Sequence, residues 1–121
     1  MESKRTLVLG ASSKPERYSN KAILRLVEAG HPVVAVGLRK GDIAGTPIVP
    51  AIPEGLAIDT VTMYMNAQNQ ESWEQRILAL APKRIIFNPG AENERLAKLA
   101  LAQGIEVVEG CTLVMLSVGT F

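Results

Sequence analysis

The sequence predicts an α/β domain in which five short parallel strands carry helices on both faces. Short apolar runs alternate along the chain with stretches in which apolar residues recur at helical spacing. Several of these runs are continuously apolar, which is typical of strands buried on both faces. Because parallel strands are joined by crossovers that are usually helical, these patterns favour a single Rossmann-like domain with a doubly wound sheet.

Composition limits the fold and function classes. The 121 residues are predicted to form one domain, residues 1–121, and 47% hydrophobic with 21% charged residues indicates a soluble globular protein. A net charge of +1 gives no excess of positive charge that would indicate binding to nucleic acid or to an anionic membrane. No apolar run approaches the roughly 20 residues that span a bilayer, and no signal-peptide pattern opens the chain. We therefore expect a cytoplasmic protein. One cysteine and one histidine cannot by themselves form a disulfide or a four-ligand zinc site, so no metal is expected.

The first half of the chain contains two strands and one helix. Thr6 to Leu9 is predicted as strand one, Lys21 to Ala29 as helix one and Val33 to Val36 as strand two. From Leu38 to Ala57 the sequence has no helical period and is rich in glycine and proline. This stretch is interpreted as an ordered strap, with Ile48–Val49 as a candidate short edge strand.

The second half repeats the alternation of strands and helices. In chain order the pattern predicts strand three at Asp59 to Met65, helix two at Gln70 to Ala81, strand four at Arg84 to Phe87, helix three at Ala91 to Gln103, strand five at Ile105 to Val108 and a short helical segment at Leu113 to Ser117. Right-handed crossovers and the position of the first glycine favour the strand order 3-2-1-4-5.

The loop after strand one is the first candidate binding site. Gly10 ends an apolar run, and a loop containing Ser12, Lys14 and Arg17 then leads into helix one. A strand, a glycine turn and a helix N-terminus form the layout that binds the phosphates of nucleotides. The alternative is that Gly10 only turns the chain and the loop serines cap the helix.

The residues after strand two indicate which nucleotide. An NAD site places an acidic residue there to bind the ribose hydroxyls. This chain instead has Gly37, Leu38, Arg39 and Lys40. A basic pair attracts an additional phosphate on the ribose, which indicates coenzyme A with its 3′-phosphate or NADP with its 2′-phosphate. The alternative is that both cations are solvated loop residues.

Other candidate catalytic residues have ordinary structural explanations. His31 precedes strand two, at the edge of the sheet away from the ligand, and is expected to be a surface or turn residue. Cys111 lies at the correct edge, and a buried apolar role is favoured over a nucleophile. Glu92 and Glu94 fit the first turn of a helix as partners of its dipole. No Ser/His/Asp set can be assembled.

The combination of motifs resembles one family. Gly10-Ala11-Ser12, Arg17-Tyr18-Ser19, Asn88-Pro89-Gly90-Ala91 and Gly110-Cys111-Thr112, in this order and spacing, resemble the small stand-alone CoA-binding domain proteins. These proteins are similar to the CoA-binding domain of the succinyl-CoA synthetase alpha subunit. The resemblance extends over nearly the whole chain, from Thr6 to about Met115.

The resemblance implies a role for each matching segment. Gly10, Ala11 and Ser12 would hold the pyrophosphate, and Arg17, Tyr18 and Ser19 would close over the ligand. Gly37, Arg39 and Lys40 would contact the adenosine and its 3′-phosphate. Five residues would line the remaining crevice: Met65, Asn66, Asn88, Pro89 and Gly90.

The expected function is therefore that of a binding module for coenzyme A or an acyl-CoA, without catalytic machinery of its own. One alternative is an enzyme, either an NADP-dependent reductase or an acyl transferase that uses Cys111, acting with a protein partner. A second alternative is an interaction protein with an empty nucleotide site.

Overall fold

The protein folds as a Rossmann-like α/β domain around a mixed seven-stranded sheet, here in a computed structural model that describes residues 2–121. The strands are β1 (Thr6–Leu9), β2 (Val33–Val36), β3 (Gly41–Ile43), β4 (Thr46–Val49), β5 (Thr60–Met63), β6 (Arg84–Phe87) and β7 (Glu106–Glu109). The helices are α1 (Tyr18–Glu28), α2 (Ala67–Gln70), α3 (Glu74–Leu80), α4 (Glu94–Ala102) and α5 (Thr112–Val118), with a 3-10 turn at Glu71–Trp73.

The strand order is β3-β4-β2-β1-β5-β6-β7, so the predicted five-stranded parallel sheet of order 3-2-1-4-5 is wrong. Predicted strand three corresponds to β5, which pairs with β1 and β6 rather than with β2. The position beside β2 is taken by β4, which pairs with it in parallel. Six strands are therefore parallel, and β3 is an antiparallel strand at the edge.

The segment expected to be a strap contains a β-hairpin formed by β3 and β4. Ala44 and Gly45 both have positive φ angles, 49° and 89°, which is the conformation of a two-residue hairpin turn. The Asp42 carboxylate accepts a hydrogen bond of 2.8 Å from the Gly45 amide and stabilises this turn. Ile43 and Ile48 are buried in the core, so hydrophobic burial holds the hairpin on the sheet.

Helices cover both faces of the sheet, as predicted. On one face, α1 packs Ile23 and Leu26 against Val8 of β1, and α5 lies beside α1. On the other face, Ile77 of α3 and Leu96 of α4 belong to a larger core cluster with strands β1, β5 and β6. All four residues of β1 are buried, which explains why the three that follow Thr6 are all apolar.

Polar side chains set where the helices begin. The chain after β5 turns helical at Ala67, earlier than predicted, because the Asn66 side chain accepts a hydrogen bond of 2.9 Å from the Asn69 amide. At the start of α4, the Asn93 side chain accepts a hydrogen bond of 3.1 Å from the Leu96 amide. The predicted helix two is therefore divided into α2, the 3-10 turn and α3. Within residues 2–121, every helix is too short or too polar to cross a bilayer.

Candidate functional site

A groove with a volume of about 700 Å³ crosses the carboxyl ends of β2, β1, β5 and β6. In the sheet, β2 lies on one side of β1 and β5 lies on the other. The chain runs from β1 to β2 first and later returns to β5, so the groove lies where the winding direction of the sheet reverses. Ligands of open α/β sheets bind at this position. Ten predicted site residues line the groove: Gly10, Ala11, Ser12, Arg17, Tyr18, Ser19, Gly37, Arg39, Met65 and Pro89.

Two glycines allow the backbones of neighbouring loops to lie in contact beneath the groove. Gly10 has a φ of +96°, and a Cβ there would lie 3.0 Å from the carbonyl carbon of Tyr64. A Cβ on Gly37 would overlap the carbonyl oxygen of Ala11. A larger residue at either position would push the loops after β1, β2 and β5 apart. These glycines are therefore needed for the shape of the groove floor.

The loop after β1 has both occupied and free amides. The amides of Gly10 and Ala11 both donate to the Val36 carbonyl oxygen, at 3.0 and 2.9 Å, so they hold the loop on β2. In contrast, the amides of Ser12 and Ser13 find no acceptor within residues 2–121. The free donors that a phosphate could use therefore begin at Ser12, two residues after Gly10, where the predicted pyrophosphate site begins.

The N-terminus of α1 closes this side of the groove. Arg17 is the residue before the helix and makes no side-chain cap, and the first turn contains no acidic residue. The alternative that loop serines cap α1 is therefore wrong. The Asn20 side chain donates to the Ser12 carbonyl oxygen at 2.9 Å and fastens the loop to the helix. An uncapped helix N-terminus with nearby cations is suited to an anion.

The cations around the groove are exposed. Arg39, Arg17 and Lys14 line it, whereas Lys40 is exposed just outside the lining. Within the part of the chain that the structure describes, none of these four side chains forms an ion pair. Their charges are therefore available to a ligand. Leu38, between Gly37 and Arg39, is fully exposed.

Residues that the sequence analysis missed form the opposite wall. Asn69, Ser72 and Trp73 line the groove from the α2 and 3-10 segment, and Tyr64 lines it from the end of β5. Trp73 is half-buried, with part of its surface on the groove. The spacing i, i+3, i+4 of the first three residues was a visible signal that they share a face.

Three predicted site residues lie outside the groove lining and have internal partners. Asn66 caps α2. The Asn88 side chain is buried, donates to the Thr62 hydroxyl at 2.7 Å and the Met63 carbonyl at 2.8 Å, and accepts from the Thr112 amide at 2.8 Å. The Gly90 amide donates to the Glu92 carboxylate at 2.8 Å. Asn88 therefore connects β5, β6 and α5 beneath the site.

The titratable groups near the groove are few. Burial raises the pKa of the Tyr64 phenol to about 12, so this group stays protonated at neutral pH. Cys111 is half-buried at the residue before α5. His31 lies at the opposite end of the sheet, where it is buried and accepts a hydrogen bond of 3.0 Å from the Lys4 amide. Among residues 2–121, no three His, Cys, Asp or Glu side chains are grouped to hold a metal ion.

Comparisons with known proteins agree with this geometry. Residues 4–117 match the family model of the CoA-binding domain. A crystal structure of an uncharacterized protein is 50% identical, with complete coverage of both chains and a TM-score of 0.96. A hypothetical protein from Pyrococcus horikoshii OT3 is 23% identical, with 93% of this chain and 80% of that chain covered and a TM-score of 0.83.

A larger protein contains the same fold as one part. The dinucleotide-forming acetyl-coenzyme A synthetase 1 of Ca. Korarchaeum cryptofilum is 15% identical, with a TM-score of 0.73. The match covers 88% of this chain but 26% of the synthetase. Together with the match over residues 4–117, the groove at the carboxyl ends of the strands leads to one conclusion: the chain belongs to the CoA-binding domain family.

Proposed function

We propose that this protein binds coenzyme A in the groove across the carboxyl ends of its strands. The observation that carries the proposal is the close backbone packing at two glycines, Gly10 against Tyr64 and Gly37 against Ala11, beside Arg39, which is exposed and forms no ion pair within residues 2–121. Such a floor lets a pyrophosphate approach the backbone, and the guanidinium beside it can bind a phosphate through two hydrogen bonds. The volume of about 700 Å³ is within the range of ligand sites.

From the strand order we propose which part of the ligand lies in each part of the groove. The adenosine and its 3′-phosphate would lie at the end of β2, beside Arg39 and Lys40. The pyrophosphate would lie at the end of β1, against the Ser12 amide and the N-terminus of α1. The remaining arm would cross the end of β5 towards Pro89 after β6. Adjacent strands are about 4.8 Å apart, so this path is roughly 14 Å long.

Calorimetry with four ligands tests the assignment. We expect CoA to bind and dephospho-CoA to bind about tenfold more weakly or worse, because a lost charge-assisted hydrogen bond at Arg39 costs about 1.5–3 kcal/mol. NADP and NAD should bind more weakly than CoA. Equal affinities for CoA and dephospho-CoA would contradict the role of the basic pair, and tighter binding of NADP would favour the reductase.

Substitutions separate the contribution of each cation. Arg39→Ala should weaken CoA binding and leave the affinity for dephospho-CoA unchanged, whereas Lys40→Ala should have a smaller effect because Lys40 lies outside the groove lining. Lys83→Ala is the matched control, because Lys83 is an exposed cation at the opposite end of the sheet. A loss of CoA affinity in the control would mean that net charge, rather than position, matters.

We further propose that the protein is a binding module without a reaction of its own. The test is incubation with acetyl-CoA while free thiol is measured, together with NADPH while its absorbance is followed. We expect neither signal to change over the uncatalysed rate. Net thiol release that disappears in Cys111→Ser would instead support the acyl-transfer alternative, with Cys111 taking the acetyl group from CoA and water then accepting it.

A further inference from the structure

We infer that the ligand carried in this groove is a CoA thioester with a neutral, apolar acyl group, and that Trp73 contacts this group. The inference rests on the proposed binding of CoA and goes beyond it, because it names the class of ligand and the residue that selects it. The observations concern the end of the groove farthest from Arg39, where the chain after β5 and β6 forms the wall.

The wall is built to present one face to the groove. Asn69, Ser72 and Trp73 follow one another at i, i+3 and i+4, and all three line the groove. Gln70, Glu74 and Ile77 occupy the other face of the same segment and are buried. The segment is therefore an amphipathic wall whose inner face is anchored in the protein and whose outer face meets the ligand.

A fully buried glutamine fixes the position of this wall. The Gln70 side-chain amide donates to the carbonyl oxygens of Met65 at 2.8 Å and Ala91 at 2.6 Å, and its oxygen accepts from the Asn93 side chain at 2.9 Å. These bonds tie the wall to the loops after β5 and β6. Trp73 follows Gln70 by three residues, so its position relative to Met65 and Pro89 is set by buried hydrogen bonds.

The indole of Trp73 is held in place and keeps surface on the groove. The Arg76 guanidinium lies 4.3 Å from the ring centroid, and its amine donates to the Ser72 carbonyl oxygen at 3.0 Å. On its inner side the indole packs against the main core, as does Met65. A rigid aromatic surface is thus available to a ligand at low cost in side-chain entropy.

The chemistry of this end distinguishes an acyl thioester from the free thiol. Asn69 and Ser72 can bind the amide groups of the arm, whereas Met65, Trp73 and Pro89 offer apolar surface beyond them. A thiol gains little from apolar surface, but each methylene that is buried against it strengthens binding. Within residues 2–121, the charged side chains that line the groove are Lys14, Arg17 and Arg39 of the loops after β1 and β2, and Arg76 lies against the Trp73 ring outside the lining. An acyl group ending in a carboxylate would therefore lose hydration without a cation in the lining of the wall that carries Trp73.

A titration of the wild-type protein tests the inference directly. Trp73 is the single tryptophan of the chain, so its fluorescence reports on this end of the groove. We expect butyryl-CoA to bind at least fivefold more tightly than CoA and to change the Trp73 emission more at saturation. Succinyl-CoA should bind no more tightly than CoA. Equal affinities for all three ligands, or a preference for succinyl-CoA, would overturn the inference.

Variants then assign the effect to Trp73. By calorimetry, Trp73→Ala should lower the affinity for butyryl-CoA more than the affinity for CoA and so remove most of the preference for butyryl-CoA, and Trp73→Phe should restore part of the preference. The control is Leu101→Ala, an exposed apolar residue outside the groove lining. An equal loss for CoA and butyryl-CoA in Trp73→Ala would overturn the role of Trp73.

Failure of the proposed function would be distinguishable from failure of this inference. If the wild-type protein binds neither CoA nor its thioesters, the proposed CoA-binding function is wrong and the inference falls with it. If CoA binds but the acyl group makes no difference, the function stands and only the inference is wrong. Should Trp73→Ala fail to fold, the wild-type comparison of the three ligands decides the question.

Discussion

The two ends of the sheet carry the same residue type in opposite surroundings. At the carboxyl ends of the strands, Arg39 is exposed and forms no ion pair within residues 2–121. At the amino ends, Arg84 is 7% exposed, and the Phe121 ring lies 4.5 Å from its guanidinium carbon. An arginine at one end is thus free to bind a ligand, and an arginine at the other end is packed as part of the core. Surroundings, and not residue type, separate the two roles.

The amino end is a compact cluster around Phe121. His31 lies 5.0 Å from the Phe121 ring centre to centre, and the Lys4 ammonium donates to the Phe121 carbonyl oxygen at 2.6 Å. The Arg84 side chain donates to the Thr60 hydroxyl at 3.2 Å. Burial lowers the pKa of Arg84, and its second amine finds no acceptor within residues 2–121. This end contributes stability, whereas the groove end leaves donors and charges unused.

We expect the largest loss of stability when alanine replaces a glycine that combines a positive φ with close backbone contact. A comparison of two glycine substitutions separates these two causes. Gly10→Ala at the groove and Gly30→Ala at the amino end both place alanine at a positive φ, +96° and +87°. Only at Gly10 would the new Cβ meet a neighbour, 3.0 Å away. We expect Gly30→Ala to cost about 1–2 kcal/mol and Gly10→Ala about 1–3 kcal/mol more, measured by urea denaturation. Equal losses would mean that the groove floor can relax.

The next effect compares the two arginines. Arg84→Ala should lower the free energy of unfolding by about 2 kcal/mol or more, because it removes buried packing against Phe121 and leaves a void. Arg39→Ala should change the free energy of unfolding by less than about 0.5 kcal/mol, since its side chain is exposed. Calorimetric and chemical unfolding of both variants provide the measurement. A large loss in Arg39→Ala would show that its loop contributes to stability.

A smaller effect concerns the pH dependence of the amino end. Burial, with Lys4 and Arg84 nearby, lowers the pKa of His31 below its ordinary value of 6.5. The folded state then binds fewer protons than the unfolded state as the pH falls below about 6.5, so the free energy of unfolding decreases with acidification in that range. Denaturation between pH 5 and 8 should show this decrease. His31→Gln should make the free energy of unfolding depend less on pH in this range. An unchanged dependence would mean that other titrating groups cause the decrease.

The smallest effect is a gain in stability. Ala81, which ends α3, has a φ of 46°, a left-handed conformation that favours glycine. Ala81→Gly should therefore raise the free energy of unfolding by about 0.5–1 kcal/mol. Because Ala81 is at the amino end, its replacement should leave CoA affinity unchanged. A simultaneous change in affinity would indicate that the two ends of the sheet are coupled.

Prediction from the sequence succeeded where a segment carries its own pattern. The strands Thr6–Leu9 and Arg84–Phe87, whose last three residues are apolar, are buried on both faces and have the predicted strand boundaries. In the hairpin at 41–49 it found only the Ile48–Val49 part of β4, which is not at the edge, and it missed β3, because Ala44-Gly45 is a weaker turn signal than Asn-Gly and because Pro47 weighs against a strand. Without that hairpin, the position beside β2 was assigned to the wrong strand.

The sequence by itself determined the alternation of strands and helices, and it pointed to the strand ends where the groove forms. These features depend on local periodicity and on turn residues, which neighbouring positions reveal. Only the tertiary structure decided the strand order, the internal hydrogen bonds of Asn88 and the position of Trp73 on the groove. Each of these depends on residues far apart in the chain. Burial and hydrogen bonding between such residues arise only when the sheet is assembled.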